Sequence, residues 1–248
     1  MFGKKSCDIC NGKIGVLGNR KLEDGNCCKD CVKQLSPFFS ERRKSTVADI
    51  NAQLAYREEN KAAVAAFRTT RTLGQKTKVL LDEEARKFIV SSARRIEDEN
   101  PDVLDFSQVT GCNIEVNEHK RELKQETKDG REVSFTPPRF RFMYDFECII
   151  HVHHPWINEI RFKINDLPIT GQTTGARTGA TIGSSNHDYR LAEEIGNEIK
   201  AALTAARQAV RDDLAAANQP KVAQTCSQCR ATSIPNAQGC CEYCGNAM

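Results

Sequence analysis

Apolar and polar residues alternate over a long stretch in the second half of the chain. The alternation runs from Arg139 to His153, and a period of two is typical of an antiparallel strand with one buried face. Its apolar positions are Phe140, Phe142, Tyr144, Phe146, Cys148, Ile150 and Val152. After a turn at residues 154–156, Ile160 and Phe162 continue the alternation and predict the return strand.

Shorter strands are predicted before this one. Residues 78–82 and 86–90 indicate a hairpin, and residues 103–106 and 113–116 indicate two further strands. We therefore expect an α+β fold built on a central antiparallel β-sheet.

In two segments, apolar residues recur at intervals of three and four positions, and this spacing predicts helices. The first covers residues 46–70, has a charged surface and is expected to connect two parts of the chain. The second covers residues 188–217 and should be a long C-terminal helix that closes the sheet. Its apolar stripe consists of Ala192, Ile195, Ile199, Ala202, Ala206 and Val210.

Glycine recurs at every fourth position between residues 171 and 185. A phosphate-binding loop would need Gly-Lys-Ser/Thr at the start of a helix, and that sequence is missing here. We interpret the segment as a solvated connector.

The chain of 248 residues has no apolar run of the roughly 18 residues that a transmembrane helix needs. Its N-terminus leads into cysteines without an apolar segment, so no secretory signal is expected. We therefore predict a cytoplasmic protein, in which paired cysteines indicate metal binding more often than disulfides.

Ten of the twelve cysteines lie in two terminal clusters. In the first, Cys7, Cys10, Cys28 and Cys31 have the spacing C-x2-C-x17-C-x2-C, which is typical of a zinc ribbon. Two tight turns, brought together by a hairpin over residues 13–22, would direct four sulfur atoms at one ion. Asn11 and Gly12 can adopt the positive φ that such a turn often needs.

In the second cluster, Cys226, Cys229, Cys241 and Cys244 have the spacing C-x2-C-x11-C-x2-C. So short a segment cannot fold on apolar burial alone, and a metal would supply the missing stability. The sequence thus predicts two structural Zn²⁺ ions. Because each four-thiolate site contributes about −2, two sites lower the formal charge from +3 to about −1.

Four further cysteines are not assigned to a metal. Cys27 and Cys240 each precede a predicted ligand, and the sequence leaves open whether either one replaces its neighbour. Cys112 and Cys148 lie in apolar contexts and are expected to be small core residues.

The N-terminal cluster resembles the zinc ribbon of a family of uncharacterised bacterial proteins. The matching residues are Cys7-Asp8-Ile9-Cys10, Gly12-Lys13-Ile14-Gly15, Asp24-Gly25 and Cys28-Lys29-Asp30-Cys31, with Asn11 where a glycine is expected. Residues 75–210 resemble a pleckstrin-homology-like domain in the order of their elements. The final Cys-x-x-Cys-Gly is similar to ribbons that many bacterial proteins append. These resemblances imply a fold and no established activity.

The expected organisation has four segments. Residues 1–36 form the N-terminal zinc ribbon, 37–74 the connecting helix, 75–217 the sheet with its C-terminal helix, and 218–248 the C-terminal zinc ribbon.

Four thiolates leave no open position on the metal, so neither site is expected to be catalytic. We interpret the chain as a non-enzymatic adaptor for an unknown protein partner, with an oligomeric state that the sequence does not define. The expected contacts are the ribbon tips around Ile9, Val16, Leu17, Ile234 and Tyr243.

Three alternatives stay open. Nucleic acid could bind the basic residues Arg42, Arg43, Lys44, Arg68, Arg71, Lys76 and Lys78, although the aromatic content of 6% argues against a stacking platform. A metal-dependent hydrolase could use His151 and His153 together with Glu147 on the same strand face. Membrane binding would need a strongly basic loop, and none is present.

Overall fold

The computed structural model describes residues 5–174, 186–218, 223–236 and 238–248. The chain divides into two compact units, Met1–Gln208 and Ala209–Met248. The division falls inside the long final helix.

The first unit begins with short elements around the N-terminal cysteines. Strand β1 (Lys5–Ser6) pairs with β2 (Lys13–Ile14), and β3 (Arg20–Lys21) pairs with β4 (Asn26–Cys27). Helix α1 (Lys29–Lys33) follows. The hairpin predicted over residues 13–22 is therefore wrong in detail, because these residues contribute one strand to each of two hairpins.

Helix α2 (Val47–Ala66) follows a 3₁₀ turn and is shorter than the predicted segment 46–70. It begins at a capping box, in which Thr46 and Asp49 exchange hydrogen bonds between side chain and backbone N–H. Its residue Ile50 is fully buried in the apolar cluster of the N-terminal cysteines. The other buried members are Cys7, Leu22, Cys27, Cys31 and Leu35. The connecting helix is thus docked on the cysteine module.

The next elements form an antiparallel sheet in the order β5-β6-β7-β8. The strands are β5 (Arg71–Gly74), β6 (Lys78–Asp82), β7 (Lys87–Ser91) and β8 (Leu104–Asp105), with the short helix α3 (Ile96–Glu99) before β8. The β6–β7 hairpin confirms the one predicted at residues 78–90.

A second antiparallel sheet is built around one very long strand. Strands β9 (Val109–Glu126) and β10 (Glu132–Val152) pair along most of their length, and β11 (Glu159–Lys163) and β12 (Ile169–Thr174) share the other edge of β10. The long strand predicted at residues 139–153 is confirmed. The sheet expected as one unit is two separate sheets among the described residues.

Helix α4 (His187–Ala217) packs on this second sheet through its first five turns. The Tyr189 ring makes edge contacts with the rings of Tyr144 and Phe146. At Gly196 the helix approaches the sheet so closely that an added Cβ would lie 3.1 Å from Ile114. The helix confirms the one predicted at residues 188–217. Of the predicted glycine-spaced connector, residues 171–174 belong to β12, and residues 175–185 lie outside the described residues.

The second unit contains the last turns of α4 and a small antiparallel pair, β13 (Gln224–Thr225) and β14 (Thr232–Ser233). Over the part of the chain that the structure describes, no helix combines the length and the apolar character needed to cross a membrane.

A buried ion pair ties α2 to the loop that precedes β8. Arg57 Nη1 lies 2.9 Å from Asp102 Oδ1, and the two residues are only 7% and 2% exposed. Arg57 Nε donates to the carbonyl of Gln34, and Ser36 Oγ donates to Asp102 Oδ2 at 2.6 Å. Asn60 adds a hydrogen bond to the carbonyl of Pro101. This network joins the cysteine module, the helix and the first sheet.

Asp102→Ala should lower the free energy of unfolding by about 3–5 kcal/mol, because it leaves the Arg57 guanidinium buried without its counter-ion. Urea unfolding in excess zinc measures the change. The control is Glu198→Ala, which removes an exposed pair with Arg71 and should cost less than about 1 kcal/mol. Equal effects of the two substitutions would contradict the assigned role of Arg57 and Asp102.

Candidate metal centres

The first cysteine pair lies in the turn between β1 and β2. The backbone N–H of Asn11 donates to the carbonyl of Cys7, and the N–H of Cys7 donates to the carbonyl of Gly12, both at 2.8 Å. Asn11 has a φ of 58°, the left-handed conformation that asparagine tolerates better than most residues. The predicted positive φ is therefore present, at Asn11.

The second pair lies at the start of a helix and not in a second turn. Cys28 is the N-cap of α1, and its Sγ accepts a hydrogen bond from the N–H of Cys31. The N–H of Cys28 donates in turn to Cys7 Sγ at 3.2 Å. Free N–H groups and the positive end of a helix both favour thiolates over thiols.

All four sulfur atoms of Cys7, Cys10, Cys28 and Cys31 lie within 4.8 Å of one another. The Sγ atoms of Cys7 and Cys31 are 3.9 Å apart, and those of Cys10 and Cys28 are 3.8 Å apart. A tetrahedral ion with sulfur ligands at about 2.3 Å requires sulfur–sulfur separations of about 3.8 Å. The site therefore has the size of a metal-thiolate centre.

The electrostatics of the first site favour a thiolate at Cys7. Burial raises the pKa of this thiol, but hydrogen bonds from the backbone N–H groups of Cys10 and Cys28, among others, lower it to about 6. At neutral pH the Cys7 thiol would thus lose its proton readily and be available as a thiolate ligand for a metal ion.

The second site is built from two turns in the second unit. The residues after its two pairs, Arg230 and Gly245, have φ values of 59° and 74°. The Sγ atoms of Cys226 and Cys244 are 3.5 Å apart, and those of Cys229 and Cys241 are 3.6 Å apart. The four sulfur atoms again lie within 4.8 Å of one another. The backbone N–H of Cys244 is the largest influence on Cys241, whose pKa is lowered to about 6.

The two neighbouring cysteines occupy different environments from the ligand candidates. Cys27 is fully buried in the apolar cluster, its Sγ faces the carbonyl of Cys28, and burial raises its pKa to about 12. Cys240 Sγ lies near the carbonyl of Gln238. The structure thus places Cys28 and Cys241, and neither of the adjacent cysteines, in the two four-sulfur groups.

The histidines considered for hydrolysis are not part of a comparable group. His151 lies between Asn113 and Glu159, while Glu147 is held by Arg161 at 2.9 Å. His153 is exposed. Across the described ranges, the groups of three or more potential metal ligands are the two cysteine sets.

Several basic residues considered for nucleic acid are paired with carboxylates. Lys44 pairs with Glu41, Arg71 with Glu198 and Lys76 with Asp166, on different elements. Three of the seven predicted cations are therefore paired with carboxylates, while Arg42, Arg43 and Lys44 line one groove.

The predicted contact residues are exposed with one exception. Val16 is 102% and Leu17 82% exposed, and Tyr243 and Ile234 are exposed in the second unit. Ile9 packs partly against the apolar cluster and is therefore not a tip residue.

Residues 5–53 match the family model described as a domain of unknown function (DUF4428). The match spans the first four-cysteine site and the first turns of α2, so a DUF4428 domain is present at the N-terminus. No curated protein and no solved structure shows a significant match to this chain.

Sequence reasoning missed two sets of residues that the fold brings together. The Sγ atoms of Cys112 and Cys148 lie 3.8 Å apart inside the second sheet. Arg57 and Asp102 are 45 positions apart and form the buried pair. Only the pairing of β9 with β10 and the docking of α2 reveal these contacts.

Cys28→Ser should reduce the metal content of purified protein from two ions per chain to one, because the first site loses a ligand. Cys27→Ser is the matched control and should retain both ions. Elemental analysis after gel filtration gives the stoichiometry. Loss of metal from the Cys27 variant with retention in the Cys28 variant would contradict the assignment.

Proposed function

We propose that the protein is a non-enzymatic, cytoplasmic adaptor whose two cysteine sites hold structural Zn²⁺ and whose N-terminal module binds a protein partner. The single observation that carries the proposal is the almost complete exposure of Val16 and Leu17 at the tip of a metal-held module.

The donor chemistry supports zinc at both sites. Four thiolates in a tetrahedral arrangement suit Zn²⁺, and the separations of 3.5–3.9 Å fit zinc–sulfur bonds of about 2.3 Å. When bound, the ion supplies folding free energy to segments that have little apolar core of their own. Four cysteine ligands leave no coordination position for a substrate, which supports a structural role.

The apolar tip is held in a defined conformation. It lies in a turn in which the N–H of Gly18 donates to the carbonyl of Gly15 at 2.9 Å. Arg20 Nη1 donates to the carbonyl of Leu17 from the following strand. Single exposed apolar residues are common, but an adjacent pair on a fixed turn offers an anchor at little cost in conformational entropy. A pocket on a partner could bury both side chains.

The surface beside the tip indicates the character of such a partner. Arg20, Lys21, Arg42 and Arg43 line an open groove of about 640 Å³, with Glu23 as its carboxylate. Burial, followed by the nearby charges of Arg43 and Arg20, lowers the pKa of Arg42. A partner with an apolar pocket and an acidic rim would complement this surface.

Two finer predictions about the architecture stay predictions. The order of antiparallel strands followed by the long helix α4 supports a pleckstrin-homology-like middle segment. The division into segments 1–36, 37–74, 75–217 and 218–248 belongs to the same interpretation, as does the bacterial family.

The double variant Val16→Asp/Leu17→Asp should reduce partner binding at least about tenfold, because two buried apolar anchors each contribute more than about 1 kcal/mol. A photo-crosslinker at position 17 of the tagged chain identifies the contacting protein in native cells. Titration calorimetry with that purified protein then compares the variant with wild type.

The matched control is Val133→Asp/Leu167→Asp, which changes two other exposed apolar residues and should leave the affinity unaltered. Equal binding by the tip variant and wild type would contradict the proposal. The proposal would also be contradicted if position 17 crosslinked only to lipid and if the tip residues were needed for binding to anionic vesicles.

A further inference from the structure

The outer half of the β9–β10 hairpin carries three arginines on one face. Arg121 lies directly opposite Arg141, and Arg139 lies opposite Leu123. Residues opposite each other across an antiparallel pair share a face, as do residues two positions apart on one strand. Arg121, Arg139 and Arg141 are therefore neighbours on one surface, which we call the arginine face.

These three guanidinium groups lack counter-ions among the described residues. The cations farther along the same sheet are neutralised, since Arg161 contacts three carboxylates and Lys163 lies 3.1 Å from Asp145. In contrast, no carboxylate of residues 5–174, 186–218, 223–236 or 238–248 forms an ion pair with the arginine face. The nearest elements thus leave its charge uncompensated.

The carboxylates in the outer part of the hairpin lie on the opposite face, whereas Asp145 and Glu147, farther along β10, share the register of the arginines. Glu118, Glu122 and Glu126 follow one another at every fourth position of β9 and share one face, and the three arginines occupy the other register. Lys120 shares the glutamate face, where its Nζ lies 4.0 Å from the centre of the Phe140 ring. That face mixes both signs of charge, whereas the outer part of the arginine face carries positive charge, and the next carboxylate in its register, Asp145, is paired with Lys163.

This arrangement lowers the stability of the free protein. Like charges directly opposite each other on antiparallel strands repel, and the Arg121–Arg141 pair has this geometry. Arg139 lies over the Phe135 ring, with its Cζ 4.4 Å from the ring centre, and this contact does not neutralise its charge. A ligand with closely spaced negative charges would relieve the repulsion.

The arginine face has the charge and the spacing for the phosphates of a duplex. Strand β12 pairs with β10 at Arg139 and Arg141, so these arginines lie on the middle strand of a three-stranded surface that a nucleic-acid backbone can lie against. Arginine binds phosphate bidentately, and Arg139 and Arg141 are spaced by about 6.7 Å along their strand. A protein partner would need apolar anchors beside the charges, but the nearest apolar side chains, Leu123 and Met143, are half-buried.

We propose that the arginine face binds the phosphate backbone of double-stranded DNA without base specificity. This function is independent of the partner-binding tip of the N-terminal module. Three phosphate contacts predict that log K falls with log salt with a slope of about −2.7.

Fluorescence anisotropy of a labelled random-sequence 20-base-pair duplex, titrated with the full zinc-loaded chain at about 50 mM salt and above, tests the proposal. Arg121→Gln/Arg139→Gln/Arg141→Gln should weaken binding at least about tenfold and reduce the salt slope by about 2–3. The control, Lys124→Gln/Lys128→Gln/Arg131→Gln, removes three hairpin cations outside the arginine face and should weaken binding less than about threefold.

Thermal unfolding of the variants shows whether weaker DNA binding results from loss of the arginines or from loss of the fold. The arginine variant should be at least as stable as wild type, because it removes the opposed charges. Absence of duplex binding by wild type, or equal weakening in the two triple variants, would overturn the proposal. Tighter binding of polyglutamate than of the duplex would overturn it in favour of an acidic protein.

Discussion

The convergence of four sulfur atoms on one point is the constraint on which the N-terminal part of the molecule depends. Cys7 and Cys10 come from a turn, whereas Cys28 and Cys31 come from the start of α1, and all four meet within 4.8 Å. Four thiolates this close would repel strongly without a cation, so the geometry suits a bound metal ion. The fully buried Leu22 and Ile50 then pack around a module whose backbone the site has already fixed.

The constraint reaches beyond the module through α2. The first turns of this helix pack on the cysteine cluster through Ile50, and its later turns hold Asp102 through Arg57. One helix therefore transmits the position of the metal site to the first sheet. The buried pair contributes orientation more than net stability, because desolvation offsets much of its attraction. This division of roles suits a scaffold that presents fixed surfaces.

Local sequence patterns predicted those features of the structure that are determined by residues close together in the chain. Cysteine spacing identified both four-sulfur groups, and period-two alternation located the second half of β10. The outer part of β9 was not predicted, because residues 117–126 are almost entirely polar and show no alternation of apolar and polar positions. The placement of Cys28 at a helix start, the separation into two sheets and the Arg57–Asp102 pair depend on tertiary contacts. No local spacing encodes those contacts.

Hydrogen–deuterium exchange of the full chain, with zinc and after chelation, tests most directly whether metal organises the modules and not the sheets. The account predicts that amides of residues 7–35, the first turns of α2 and residues 226–244 lose protection at least about tenfold. Amides of β6, β7 and β10 should keep theirs, because their core residues, such as Phe88 and Phe146, are fully buried and do not belong to the apolar cluster of the first site. Equal loss of protection in those strands, or unchanged protection at residues 7–35, would contradict the account.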